Sequence, residues 1–392
     1  MKTCCYHHNF FCEDRVVADL SKDNLRQNYL VIQKQLKTGQ KILPMVKADA
    51  YGHGATWVAK QLLNMPNLYG FGVATLEEGR DLRLALGERN TQIKIIIFSG
   101  CLPWCDSICY FCKKFDLTAV ISSDEDWLVF YKHKWPGRIS YELKFNTGMN
   151  RLGINLDFSK NIIQNLKNKP VKCHPQGVLS HLSCAENPGF HLSRQQLWHF
   201  EELIKYFSVF DGTCFHLANS AAIWNAKEWK IHELTHVVRP GISLYGILPW
   251  AGAPHKGLKP VLRLKSKVIA IHDLHAGEYV GYGGSYLAKK KHRIAVLAIG
   301  YADGLHRSLG GINNGNAAWS CGKVWLSEKF CSILGIINMD LCVVECSRAT
   351  KVGDDAVILG PPIDIWEQAK KAHTVPYELL TSLSKRVKRN YV

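Results

Sequence analysis

The sequence contains no uninterrupted apolar run of the ~18–20 residues that a membrane-spanning helix requires. Nor do its first thirty residues, MKTCCYHHNFFCEDRVVADLSKDNLRQNYL, hold the apolar middle of a secretory signal. Charges stand where that middle would lie, so a cytoplasmic protein is expected. Internal repeats and low-complexity linkers are also missing, which excludes repeat arrays and long flexible tethers. Acidic residues are in short supply: 33, against 49 lysines and arginines, for a formal net charge of +16. Nucleic-acid binders usually gather such charge into a stripe with an identifiable motif. Here the dense run is Lys289, Lys290 and Lys291 with Arg293, just before the apolar IAVLAIG, and it reads as a solvated turn. Neither nucleic acid nor a membrane is therefore expected as a partner.

Cysteine is not scarce, with 14 in 392 residues, but without an export signal these read as buried hydrophobes and free thiols. Apolar residues at 47% and charged residues at 21% give an ordinary globular balance, on a chain long enough for two domains.

From about residue 40, KILPMV, LYGFGVA, IKIIIFSG, LTAVIS and ISYELKF read as strands buried on both faces. Between them TWVAKQLLN, LEEGRDLRLALG and DEDWLVFYKH have apolar residues at helical spacing. GVLSHLS, TCFHLAN and VVRPGISLYGI continue the series. The alternation implies parallel strands joined by right-handed crossovers. Close to eight such units favour a (β/α)8 TIM-type barrel, placed at residues 15–255. Beyond it LKSKVIAIHDL, GEYVGYGGSY, HRIAVLAIGYA, GKVWLS, CSILGIINMDLCVVEC and DAVILG are short β-like runs. They predict a C-terminal mainly β domain at 256–392, which a strand within residues 1–20 is a candidate to join.

In a parallel barrel, chemistry gathers where strands end. The run ILPMV stops at Lys47 and opens into KADAYGHGA. A lysine at the end of a buried strand is poorly solvated, which lowers its pKa, and only a neutral amine attacks an aldehyde. Taken alone, the segment fits a Schiff-base lysine and an outward-pointing loop lysine about equally.

VKADAYGHGA closely resembles the cofactor-lysine motif of alanine racemases, pyridoxal-phosphate enzymes built from a barrel and a β domain. The likeness continues in order through LKFNTGMNRLGI, SHLSCAEN, HLANSAA, VRPGISLYGI, VGYGGSY, AIGYADGLHR, GIINMD and LTSLSKRV, covering nearly all of the chain after residue 15. The resemblance implies pyridoxal 5'-phosphate as cofactor, carried on Lys47, which acts as base on one face of the substrate α carbon. Tyr282 in VGYGG matches the base on the opposite face, supplied by the partner in a head-to-tail homodimer. Two groups are needed because a single base would mostly restore the starting isomer. His181 and Arg239 match the pair that supports the tyrosine, and Arg239 also the group facing the ring nitrogen. Tyr51, Ser220, Gly241 and Ile242 match the phosphate cup. Lys144 matches a lysine that many relatives carbamylate. Arg151 and the backbone of Met339 match the receptors of the substrate carboxylate, and Tyr301, Arg307 and Glu186 an access corridor. The implied reaction interconverts L- and D-alanine, supplying peptidoglycan.

Three positions depart from the pattern. Asn146 stands where many relatives have Asp, and Ile336 where an arginine is common. Lys385 replaces a tyrosine that touches the phosphate, and as a point charge a lysine there still binds phosphate. This altered wall leaves a slightly larger substrate such as serine open.

Cys105, Cys109 and Cys112 raise a rival from another enzyme class, since C-x3-C-x2-C is the spacing of radical S-adenosylmethionine iron–sulfur enzymes. The same spacing is one face of a helix, and the segment falls where a crossover helix is expected. A non-catalytic pyridoxal-phosphate binder would lack the β domain and so anything like Tyr282. The N-terminal CCYHHNFFC is assigned no function.

Overall fold

The computed structural model describes residues 14–87, 92–101, 104–132, 139–313 and 321–392, so CCYHHNFFC lies outside the described residues. The chain divides into two compact units. One is Ser21–Val261; the other joins Leu262–Val392 to the chain's first described strand, β1 (Val16–Leu20).

The first unit is a parallel barrel. Its strands are β2 (Lys41–Ile42), β3 (Gly70–Val73), β4 (Lys94–Ile97), β5 (Thr118–Ile121), β6 (Tyr141–Lys144), β7 (Gly177–Leu179), β8 (Cys214–His216) and β9 (Val237–Val238). β3 to β8 pair in sequence order, and β2 pairs with β9. Parallel bridges Ile42–Leu68 and Met45–Gly72 tie β2 to β3. His236 N–H donates to the Phe215 carbonyl (2.8 Å) and Arg239 N–H to the Ala218 carbonyl (2.8 Å), which closes β8 on β9. Each strand coincides with one of the short apolar runs, because burial on both faces admits little else. Leu43, Tyr69, Ile96, Val120, Leu179 and Val237 pack into one cluster. They come from six staves or stave ends, so the surface they share is the barrel lumen.

The helices are set by their own termini. Ser21 caps Lys22–Gln33, its hydroxyl accepting from Asn24 N–H, and Thr75 caps Leu76–Leu86 by accepting from Glu78 N–H. CDSICYFC forms the helix Asp106–Lys114: Cys109 and Cys112 face inward while Cys105, at its N-cap, is exposed. Among the described residues no group of three His, Cys, Asp or Glu side chains is placed to hold a metal.

The second unit is antiparallel. Its long strand β10 (Leu262–Leu274) is followed by β11 (Tyr279–Val280), β12 (Tyr286–Leu287), β13 (His292–Leu297), β14 (Lys323–Leu326), β15 (Lys329–Leu334), β16 (Cys342–Glu345), β17 (Asp355–Leu359) and β18 (Lys388–Tyr391). The order β13-β16-β15-β14-β17-β10 closes on itself, since β10 also pairs with β13. β10 manages both pairings through register shifts at Leu264/Lys265 and Val268/Ala270. β1 lies between β10 and β18. GEYVGYGGSY, expected as one β run, is instead a hairpin: Tyr282–Gly284 turns between β11 and β12. Gly281, Gly283 and Gly284 take φ of 71°, 65° and 55°, left-handed values that a strand cannot accommodate. Among the described residues no helix is long and apolar enough to cross a membrane.

Candidate active site

The chain leaves β2 through Pro44, Met45 and Val46 and reaches Lys47 at the barrel mouth. Directly after the lysine it makes a left-handed turn: Ala48, Asp49, Ala50 and Tyr51 have φ of 50°, 51°, 54° and 55°. For L-residues this costs about 1–2 kcal/mol each, so neighbours must enforce it. Asp49 Oδ1 accepts from Ala55 N–H (2.7 Å) and Glu78 Oε1 from Ala48 N–H (2.7 Å). Buried His53 places Nδ1 3.0 and 2.9 Å from the Ala50 and Tyr51 carbonyls, which assigns the ring hydrogen to that nitrogen. Its ring stacks on Tyr245 at 4.4 Å, Tyr245 packs on Tyr51 at 5.0 Å, and the Tyr245 hydroxyl donates to the Met45 carbonyl.

Around this turn stands a group of basic side chains. Lys47 keeps solvent access, yet desolvation by the surrounding mouth lowers its pKa, Arg151 lowers it further, and Glu78 opposes both. Lys144, at the end of β6, is 6% exposed. Its pKa is pushed down to about 8, first by desolvation, then by Arg151, Arg239 and Lys47. His181 is held well below its ordinary value by burial and then by Arg239, Arg151, Lys144 and Lys47, so it is neutral at pH 7. Buried Arg239 is lowered to about 10 by desolvation, with Glu142 opposing. Its guanidinium donates to the carbonyls of His216, Ser180 (2.6 Å) and Leu217 (3.1 Å), which fixes its plane.

Beneath Arg239 lie residues that sequence reasoning missed. Glu142 and His216 are wholly buried, with Oε2 3.1 Å from Nε2 but misaligned for a hydrogen bond. Gly177 makes room for them, since a Cβ there would lie 2.9 Å from each side chain. Glu142 lies two residues before Lys144 on β6 and so shares its face, giving one strand a deep carboxylate and an amine at the mouth. The sequence signal was a charged residue inside a buried run, YELK.

By sequence Ser220 fits a helix cap as well as a phosphate ligand. The structure gives the cap to Asn219, whose side chain accepts from Ala222 N–H. Ser220 Oγ instead accepts from Gly241 N–H (3.0 Å) and Ser243 N–H (3.4 Å), leaving its own hydrogen to point elsewhere. Gly241 lies so close to Tyr51 that a Cβ would fall 2.5 Å from the hydroxyl. Ile242 opens the turn Ile242–Tyr245, where the first N–H groups lack partners within the turn. Asn146 organises the loop to Arg151: Oδ1 accepts from Gly148 and Asn150 N–H, and Nδ2 donates to Asn150. Arg151 and Glu186 are exposed.

The remaining candidates sit in the β unit. Tyr282, on the glycine turn, is 73% exposed, and Tyr301, Arg307, Met339 and Lys385 are also exposed. Tyr301 N–H donates to the Asn338 carbonyl and Ala302 N–H to the Met339 carbonyl, joining two of these loops. Arg386 ties them to the LSKRV segment through Asp340 (2.8 Å) and buried Asp303 (3.3 Å). Ile336 is half-buried beside Gly281.

Five basic or titratable groups converge on the barrel mouth, beside a serine, a tyrosine and loop amides, and the cations among them disfavour charge on Lys47, Lys144 and His181. That donor set fits a multiply charged anion together with a carboxylate, as a phosphorylated cofactor and an amino acid would present. The family described as alanine racemase, N-terminal domain, matches residues 20–249, and that of the C-terminal domain matches residues 261–391. The chain belongs to the alanine racemase family.

Alanine racemases from Shewanella loihica and Stutzerimonas stutzeri are each 32% identical to it, over 94% and 96% of this chain and 97% and 99% of theirs. Among solved structures, the biosynthetic alanine racemase of Pseudomonas aeruginosa superposes with a TM-score of 0.82 at 29% identity, covering 97% of this chain and 99% of that one. The alanine racemase of Bartonella henselae, with covalently bound pyridoxal phosphate, gives 0.82 at 27% identity over 96% and 99%. The expected barrel-plus-β architecture, the racemase class and pyridoxal-phosphate dependence accordingly hold for this member of the family.

Proposed function

We propose that the protein interconverts L- and D-alanine with Lys47 and Tyr282 as its two acid–base groups. The observation that carries this reading is the ring of Lys47, Lys144, Arg151, His181 and Arg239 at one barrel mouth, with the lysine amine pushed toward neutrality. Pyridoxal phosphate, when bound, draws electrons from the substrate α carbon and so makes its proton removable. Ser220, Tyr51 and the amides of Gly241 and Ile242 would hold its phosphate, with Lys385 as a further cation. Arg239, fixed by its carbonyl partners, would face the ring nitrogen as a hydrogen-bond donor.

Lys47 takes or returns the proton on one face of the α carbon. A proton must then be exchanged on the other face, and Tyr282 is assigned that part, donated across a head-to-tail homodimer. Neutral His181 supports the phenol as a hydrogen-bond partner and Arg239 orients His181. Arg151 and the backbone N–H of Met339 receive the substrate carboxylate. Lys144 supplies an amine neutral enough to take up carbon dioxide, and carbamylation would place an anion among cations. Tyr301, Arg307 and Glu186 would line the approach for a small amino acid. The D-alanine formed would serve peptidoglycan synthesis, from a cytoplasmic enzyme.

An L-to-D conversion assay on alanine, serine and a basic amino acid tests this. Alanine is expected to be converted best. Lys47→Ala should lose both cofactor absorbance and conversion, whereas Tyr282→Phe should keep the absorbance and lose mainly the L-alanine direction. Unchanged rates in either variant would overturn the assignment.

A further inference from the structure

The left-handed turn after Lys47 is a conformation that Ala-Asp-Ala-Tyr would not adopt unaided. From outside the turn, Glu78 grips its first residue: one carboxylate oxygen accepts from Ala48 N–H and the other from Ala74 N–H, each at 2.7 Å. The sequence Thr75-Leu76-Glu77-Glu78 is a capping box, in which the glutamate ordinarily turns back to the N–H of the capping threonine. Thr75 plays its half, accepting from Glu78 N–H at 3.2 Å. The carboxylate goes elsewhere, to the residue beyond the end of β3 and to the one that comes after the lysine.

We propose that Glu78 is a positioning residue for Lys47, bridging the end of β3 to the left-handed turn and thereby fixing the direction in which the amine leaves its strand. The bridge gives that turn a fixed anchor on the neighbouring stave. The same carboxylate is a nearby counterweight to positive charge. Arg151, Lys144 and His181 share an electrostatic neighbourhood with Lys47, Asp49 is engaged by Ala55 N–H, and Glu78 is the group that favours the protonated amine. This inference rests on Lys47 being the cofactor-bearing base.

Three variants separate positioning from mere helix capping. Glu78→Gln keeps the size, removes the charge and turns an amide NH2 toward one of the two N–H donors. Glu78→Asp keeps the charge but shortens the reach, and Thr75→Ala removes the cap alone. In cofactor-free protein, capture of Lys47 by pyridoxal and cyanoborohydride, followed by peptide mass spectrometry across pH, reads the amine directly. Glu78→Gln is expected to move the midpoint of capture to lower pH, because a charge favouring the ammonium is gone. Glu78→Asp should slow capture without that displacement. Thr75→Ala should lower the melting temperature yet leave the capture profile as in the wild type. In the loaded enzyme both Glu78 variants should lose on the order of 10–100-fold in kcat with little change in KM, as expected of a misdirected base. A Glu78→Gln profile coincident with the wild type, or a Thr75→Ala protein that reproduces the glutamate effects, would overturn the proposal. If wild-type Lys47 is not captured at all while other lysines are, the reading of Lys47 itself fails.

Discussion

At the scale of single residues, Lys144 offers the clearest link from charge to stability. Its amine is buried among Arg151, Arg239 and Lys47 and titrates at about 8 instead of 10.5. Between those values the unfolded chain binds more protons than the folded one, so stability rises with pH across that window. Below pH 8 the full penalty stands, on the order of 3 kcal/mol at ~1.4 kcal/mol per pKa unit. Methionine nearly matches the volume without the charge. Lys144→Met is therefore expected to be more stable than wild type at pH 7 in carbon-dioxide-free buffer, with the gain fading toward pH 10.5. Denaturant titrations at the two pH values check this, and equal stabilities at pH 7 would refute it. Added bicarbonate should stabilise the wild type and leave Lys144→Met unmoved. The sequence placed Lys144 near the end of the strand-like run ISYELKF, but not where that strand stops or which face the amine takes. Only the structure shows it as the last residue of β6, on the same face as Glu142.

At the scale of elements, legibility tracks the periodicity of burial. The barrel strands were readable because a stave buried on both faces must be a short aliphatic run, and the crossover helices because they are half-exposed. The left-handed turn at 48–51 was not readable: it contains no glycine, and its enforcement by Glu78, His53 and Asp49 comes from side-chain contacts that a linear pattern does not encode. The hairpin turn at Tyr282 is hidden for the opposite reason. Its glycines blend into a β-like run, although three left-handed glycines in four positions already break a strand. Glycine marks close approach at position 241, and there its loss has a foreseeable cost. Gly241→Ala would put a methyl 2.5 Å from the Tyr51 hydroxyl and 3.1 Å from its ring. Tyr51 is braced by Tyr245 and by its own turn, so it cannot yield freely. Overpacking of this kind costs about 1–3 kcal/mol. The variant should fold but bind pyridoxal phosphate roughly tenfold or more weakly, as read by absorbance titration. Wild-type affinity would show that Tyr51 and Gly241 do not shape the phosphate cup.

At the scale of the whole molecule, the two proposed acid–base groups belong to different compact units, Lys47 to the barrel and Tyr282 to the β unit. Each unit carries its own closed sheet, and the β unit takes β1 from the far end of the chain as an inner strand of its sheet. The separation of Lys47 and Tyr282 was readable as a change of texture near the end of the barrel. Which copy of the chain completes which site is a question of assembly, and mixing answers it. Lys47→Ala and Tyr282→Phe should each be nearly inactive in the L-alanine direction alone. If each site takes its lysine from one copy and its tyrosine from the other, a mixed dimer holds one site with both groups intact and one with neither. Random re-association of equal amounts gives half mixed dimers, so about a quarter of wild-type activity should return. A lysine and tyrosine serving one site within a single copy would yield no recovery at any mixing ratio, because neither variant chain could then complete the other.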